Sequence, residues 1–311
     1  MNLPGSTTMQ YEKMNDCFAS LSDKIDYALE HSNLEEIFRR FDELNGPTLI
    51  SGVGGSAIVG TYLAKVLREK RHIIATFAYP RDLICMDVSG YENLIAVSYS
   101  GNNIGVDVLK DLHLKKYLLT GNPRDSFSNI VYKMKPEISY VSISATMVPL
   151  AIIALYYKND HELIRSIINK ETDLSSDNDH YEVMSGYETL TAATLIESSL
   201  VESGMATCLL HEKYNYCHGR VNITNVLNSD LIFFRMNNEL DDVLYATLSK
   251  YYKNIICIER SYEDDVINDF YCCLIALKFI RNIALRKGCD ISDMKEIPDN
   301  DVLYRFKGKM K

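Results

Sequence analysis

The stretch PTLISGVGGSAIVG, residues 47–60, decides the fold. Its first half, PTLISGV (47–53), is a short run rich in strand formers. Glycines then cluster at Gly52, Gly54 and Gly55, and residues 56–70 or so read as a helix. Strand, glycine turn and helix in that order open an α/β unit. The alternation continues downstream. HIIATFAY (72–79) reads as a second strand and NLIAVSYS (93–100) contains a third, with a helix over 103–112. KKYLLT (115–120) reads as a fourth strand and SYVSIS (139–144) as a fifth, leading into a helix over 146–158. Strands alternating with helices across short loops predict a parallel, doubly wound sheet. Upstream, Leu29, Leu34, Ile37, Phe38 and Phe41 recur at helical spacing, so the first 45 residues read as helices.

From His161 to Ser185 the chain turns polar, with DLSSDNDH at 173–180. This stretch reads as a helix plus linker and divides the chain into residues 1–160 and 161–311. A second alternation follows: helix 188–203, strands 206–211 and 230–236, helix 239–251, strand 254–259 and helix 266–287. The two halves look like a weakly duplicated α/β unit.

Composition excludes several classes of function. Hydrophobic residues make up 47% of 311 and charged ones 24%, enough for a buried core without disulfide staples. The longest apolar runs, VPLAIIALYY and FYCCLIALKFI, fall short of the roughly 20 residues that span a bilayer, so no membrane role is expected. The N-terminus lacks a basic start followed by an apolar stretch, so no signal peptide is expected. The net charge of −9 disfavours nucleic-acid binding, which needs a positive face. Eight cysteines without a CxxC fit reduced thiols in the cytoplasm. His211, Cys217 and His218 cluster in sequence but lack a fourth ligand at zinc spacing, so no metal is expected.

Four segments carry the candidate chemistry. In SGVGGSA (Ser51–Ala57) the glycines permit close approach of a ligand, and the helix that follows offers free N–H groups to an anion. Gly52-x-Gly54-x-x-Ala57 loosely fits a dinucleotide fingerprint, but strand two ends Phe77-Ala78-Tyr79-Pro80 with no acidic residue to hold a ribose. No Gly-Lys-Ser/Thr follows, which excludes a P-loop. In SYSGNN (Ser98–Asn103), hydroxyls and a glycine turn sit at the carboxyl end of strand three, where open α/β sheets bind ligands. Together with the glycine loop they predict a phosphate cradle. TGNPRDS (Thr120–Ser126) closes strand four and forms either part of the same rim or an ordinary proline turn. In the second half, Glu202 and His218-Gly219-Arg220 stand at element ends, where a carboxylate and an imidazole suit proton transfer.

These residues together resemble the sugar isomerase (SIS) family of phosphosugar isomerases and phosphosugar-binding proteins. GVGGSAIVG is similar to the opening loop of bifunctional phosphoglucose/phosphomannose isomerases, and SYSGNN to the family's serine-rich phosphate loop. The spacing from Glu202 to His218 resembles the glutamate and HGP spacing of the isomerase domain of glucosamine-6-phosphate synthase. The resemblance covers about residue 35 to the end. It implies two tandem SIS modules, each a parallel, doubly wound, flavodoxin-like sheet flanked by helices. It implies that Ser98, Ser100 and Asn103 hold a sugar phosphate and that Gly54, Gly55 and Ser56 line the sugar. It also implies that Glu202 is the general base and His218 the ring-opening residue, entering from the neighbouring subunit of a homodimer. A C-terminal lysine, Lys307 in preference to Lys295, completes the site, and no cofactor is needed. Three departures stand out. Asn103 replaces a threonine or serine, Arg220 replaces a proline, and the second module has RMNNE after DLIFF instead of a serine-rich loop. The leading expectation is aldose–ketose isomerisation of a phosphorylated sugar or amino sugar through an enediol. Arg220 motivates a second reading, a deglycase that cleaves an amine from a 6-phosphorylated sugar–amine adduct. Asn103 and the missing second loop motivate a third, a phosphosugar sensor without turnover.

Overall fold

The computed structural model describes residues 11–294. Three helices come first, α1 (Met14–Ala19), α2 (Leu21–His31) and α3 (Leu34–Asp42). The first sheet is built from β1 (Thr48–Ser51), β2 (Ala75–Phe77), β3 (Asn93–Val97), β4 (Lys115–Thr120) and β5 (Ser128–Val131). Between these strands run α4 (Gly55–Arg71), α5 (Pro80–Cys85) and α6 (Ile104–Leu109). After α7 (Ser144–Lys158) and α8 (His161–Ile168) comes the second sheet, β6 (His180–Ser185), β7 (Thr207–Glu212), β8 (Asp230–Arg235) and β9 (Ile255–Glu259). Its connections are α9 (Leu190–Glu202), α10 (Lys213–Cys217) and α11 (Glu239–Leu248), and α12 (Asp265–Lys287) follows.

Every strand pairing is parallel, and the two sheets repeat one strand order: β2-β1-β3-β4-β5 and β7-β6-β8-β9. That is the flavodoxin-like order, in which the strand sequence reverses between the first and third strands. Side chains alternate across each strand, as the two-residue period requires. In β3, Ile95 and Val97 face the large central core, while Leu94 and Ala96 face a smaller one with Leu83 and Leu109. In β8, Ile232 and Phe234 share the central core, while Leu231 and Phe233 face an outer cluster with Leu244 and Leu248. The layers are therefore helix, sheet, a shared helical layer of α4, α7, α9 and α12, sheet, helix.

The shared layer is clamped at one buried ion pair. Lys65 of α4 reaches Asp269 of α12 at 3.0 Å, and the same Asp269 accepts from the N–H of Ala192 in α9 at 3.2 Å. Both charged side chains are almost fully enclosed. Burial pushes the Asp269 carboxyl up, and the Lys65 ammonium pulls it back.

Two sequence expectations need correction. The fifth strand is Ser128–Val131, not 139–144. The alternating pattern of SYVSIS is genuine, but its backbone bonds elsewhere: Tyr140 and Val141 donate to the carbonyls of Ser292 and Ile291, and Ile143 and Ser144 to the Glu137 carboxylate. The polar 161–185 stretch ends in a central strand, β6, rather than in linker. Glu182 conceals it. This carboxylate is fully buried within the strand and is satisfied by His211 at 3.1 Å and by the Ser229 hydroxyl. A charged residue at a core position breaks the apolar pattern on which strand reading depends.

Candidate functional site: a cradle at the strand-order reversal

β1 and β3 are neighbours whose connections leave in opposite directions, so a crevice opens between their carboxyl ends. Ser51 lies opposite Ala96, which brings the loops after the two strands, Gly52–Gly54 and Ser98–Asn103, to one edge. They meet there: a Cβ on Gly105, in the first turn of α6, would lie 3.7 Å from the Val53 side chain. α4, seventeen residues long, presents its N-terminal end, Gly55 and Ser56, to this edge. Gly54 adopts φ +55 to make the turn. A Cβ on Gly55 would collide with the Thr146 hydroxyl, so glycine lets the start of α7 close this wall.

The Ser98–Asn103 loop is held by its own side chains. Asn103 is the N-cap of α6, its carbonyl oxygen accepting from the Val106 N–H at 3.0 Å. Its amide nitrogen donates to the Ser98 hydroxyl at 3.1 Å, and the Gly101 N–H donates to that same oxygen at 3.2 Å. Both lone pairs of the Ser98 oxygen are thus occupied. Its proton has no acceptor among the described residues, so the hydroxyl can only donate. Such a donor at the buried floor of a loop suits an anionic oxygen. Ser100 lies exposed above it and accepts from the Asn102 N–H at 3.3 Å. Gly101 sits at φ +61, and any Cβ there would come within 2.5 Å of the Asn122 carbonyl.

One residue escaped the sequence reading. Arg124, in the TGNPRDS segment, donates its Nε to the Gly101 carbonyl at 2.8 Å. Its two terminal nitrogens have no partner among the described residues and stand exposed beside the loop. Proline and asparagine around it signalled a turn, but nothing in the sequence showed which way the guanidinium points.

Glu202 ends α9. The start of α9 and the turn before it lie against the C-terminal half of α4: Lys65 and Ala192 share Asp269, and Arg68 bonds the Tyr187 hydroxyl at 3.1 Å. α9 packs along α4 with its start beside the C-terminal half of that helix, so the two run antiparallel. From the shared clamp each runs ten residues, about 15 Å, to Gly55 and to Glu202 respectively. Glu202 thus reaches the same end of the helical layer as the cradle. It is solvent-exposed, yet crowding by surrounding protein atoms pushes its carboxyl above the usual glutamate range. Burial raises Glu197 as well.

His218 is not brought to Glu202 within the chain. Glu202 precedes the six-residue β7 and His218 follows it, which separates them by about 20 Å of strand. The five-residue α10 rises only about 7.5 Å and cannot return that distance. His218, exposed, follows the end of α10, and Gly219 at φ +95 turns the chain into the short 3-10 helix that Arg220 begins. Arg220 is exposed and meets no carboxylate among the described residues. His211 faces Glu182, and the Cys217 thiol donates to the Lys213 carbonyl, so the cysteine and histidines adjacent in sequence point to different places. Lys307 and Lys295 lie outside the described residues.

No protein-family model matches the chain, and neither does any curated protein. Solved structures do. The C-terminal domain of glucosamine-fructose-6-phosphate aminotransferase from Francisella tularensis superposes with a TM-score of 0.69 at 12% identity, over 93% of this chain and 100% of that one. Glucosamine-6-phosphate deaminase from Thermotoga maritima gives 0.71 at 13%, over 92% and 98%. Tagatose-6-phosphate ketose/aldose isomerase from Escherichia coli gives 0.70 at 13%, over 91% and 96%. The likeness is one of fold, and it runs through both sheets. The chain shares the fold of these three phosphosugar enzymes.

Proposed function

We propose that the chain is a phosphosugar isomerase of the SIS family, with residues 1–160 and 161–311 as tandem modules of a cytoplasmic homodimer. The observation that carries this reading is the Ser98 hydroxyl, which has only a proton left to give, in a loop facing the N-terminal end of α4. Ser98, Ser100 and the loop amides hold the phosphate of the ligand. Asn103 acts chiefly by orienting Ser98, and Arg124 supplies the positive charge. Gly54, Gly55 and Ser56 line the sugar. Anchoring the remote phosphate holds the reacting carbons in place and lowers the entropic part of the barrier. Glu202 takes the proton from one carbon and returns it to its neighbour through an enediol. His218 of the partner subunit helps open the ring, and Lys307 completes the site. Arg220, two residues after His218 and without a carboxylate partner among the described residues, favours the second reading, in which a carboxylate-bearing sugar–amine 6-phosphate is cleaved.

The test is solvent exchange in deuterated water with a panel of hexose 6-phosphates and sugar–amine 6-phosphate adducts. Deuterium at C1 or C2 of at least one hexose phosphate is expected. Its absence from all of them contradicts isomerisation, and amine release from an adduct moves the assignment to the second reading. Binding has its own expectation. Ser98→Ala removes a hydrogen bond to a charged group, worth about 1.5–3 kcal/mol, so the phosphosugar Kd should rise by roughly 10- to 150-fold. Arg124→Ala should weaken binding in the same direction, with a steeper loss at low salt. Titration calorimetry on both variants checks this, and unchanged affinity in Ser98→Ala removes the cradle's central contact.

A further inference from the structure

The carboxyl edge of the second sheet repeats the geometry of the first and fills it differently. The strand order reverses between β6 and β8, and a crevice of about 710 Å³ lies at that edge, lined among others by Gly186, Glu188, Lys213 and Asn238. Asn238 caps α11 by accepting from the Asp241 N–H at 2.9 Å, just as Asn103 caps α6. The loop from the strand through the cap has only three residues, Met236–Asn238, against six in Ser98–Asn103. Asp241, in the first turn of α11, folds its carboxylate back over that loop. It accepts from the N–H of Met236 at 2.5 Å, at the position directly after β8 that Ser98 holds after β3. Lys213, directly after β7, pins the same carboxylate at 2.7 and 2.9 Å. Lys213 is 3% exposed and Asp241 fully buried.

We propose that the Asp241 carboxylate is a built-in anion occupying the phosphate position of the second crevice, so that each chain takes up one phosphorylated ligand rather than two. The inference rests on the phosphate role proposed for the first crevice. An ammonium, a loop N–H and the first turn of a ten-residue helix are what a bound phosphate meets in a site of this kind. Here the chain supplies the anion itself. A buried lysine requires a partner, and the pairing with Asp241 satisfies it permanently. Glu188 adds a second carboxylate at 3.2 Å from Lys213, and Glu212 and Glu239 at the rim repel any incoming phosphate.

The probe is radiolabelled inorganic phosphate in equilibrium dialysis. Wild type should bind roughly one phosphate per chain, lost in Ser98→Ala. Glu188→Gln combined with Asp241→Ala should gain a second, which disappears when Lys213→Met is added. A folded double variant that gains no phosphate overturns the proposal. So does a wild-type chain that binds two, one of them lost in Lys213→Met. If the double variant does not fold in chloride, recovery of a cooperative melt on adding phosphate at equal ionic strength supports the proposal, and no recovery overturns it. Zero phosphate in wild type with one in the double variant contradicts the first cradle's role and the count of one ligand per chain, and leaves only the Asp241 assignment standing.

Discussion

Replacing Glu202 by glutamine is expected to lower turnover by about 10²- to 10⁴-fold while leaving phosphosugar affinity nearly unchanged. The amide keeps the shape of the carboxylate and cannot take a proton. Phosphate contacts lie at the other end of the ligand and are untouched. Glu197, five residues earlier on α9, also has a raised pKa, but it sits about 140° around the helix and about 7.5 Å back along it. Glu197→Gln should therefore retain turnover. The pH profile carries a second signature. A base works deprotonated, and the protein atoms crowding the exposed Glu202 carboxyl hold it above the ordinary glutamate range. Activity should fall, as pH drops, at a higher pH than an unperturbed glutamate would give. Stability has the opposite sign. The folded state binds this proton more tightly than the unfolded chain, so the contribution of Glu202 is fullest at low pH and declines as pH rises through the raised value. Glu202→Gln should flatten that slope. If Glu202→Gln turns over normally and Glu197→Gln does not, the base has been misassigned. If the wild-type chain turns over no substrate that it binds, the chain is a sensor.

Mixing two dead variants is expected to restore activity. Within one chain, Glu202 and His218 lie beyond opposite ends of strand β7, which spans about 20 Å, so a site that uses both must draw them from two chains. Glu202→Gln and His218→Ala should each be inactive alone. Unfolded and refolded together in equal amounts, half the dimers are mixed, and each mixed dimer has one intact site of two. Recovery should reach about a quarter of wild-type turnover. Recovery near zero contradicts the shared site, as does full activity in a chain that sediments as a monomer.

Much of this was legible in the sequence because the physics is local. The strand–glycine–helix order of residues 47–60 fixes a parallel sheet, and the central strands Leu49–Ile50 and Leu94–Val97 read as apolar runs because both faces are covered. The hydroxyls of Ser98 and Ser100 are visible as a motif for the same reason. What escaped depends on contacts distant in sequence. Glu182 masks a core strand because its partners, His211 and Ser229, lie 29 and 47 residues away. SYVSIS has a strand's pattern but bonds to Ile291 and Ser292. Arg124 became a candidate only when its guanidinium was found on Gly101. The absence of a second serine loop was plain from RMNNE, yet the carboxylate that stands in its place was not. Asp241 looks like any acidic residue in the first turn of a helix until Lys213 closes on it.

The most direct measurement is a crystal structure of the chain soaked with a hexose 6-phosphate. The phosphate is predicted between the Ser98–Asn103 loop and the N-terminal end of α4, with the Ser98 hydroxyl about 2.5–2.7 Å from a phosphate oxygen. Phosphate density at the Met236–Asp241 edge with the Ser98 loop empty, or a sugar whose first two carbons face away from Glu202, contradicts the account.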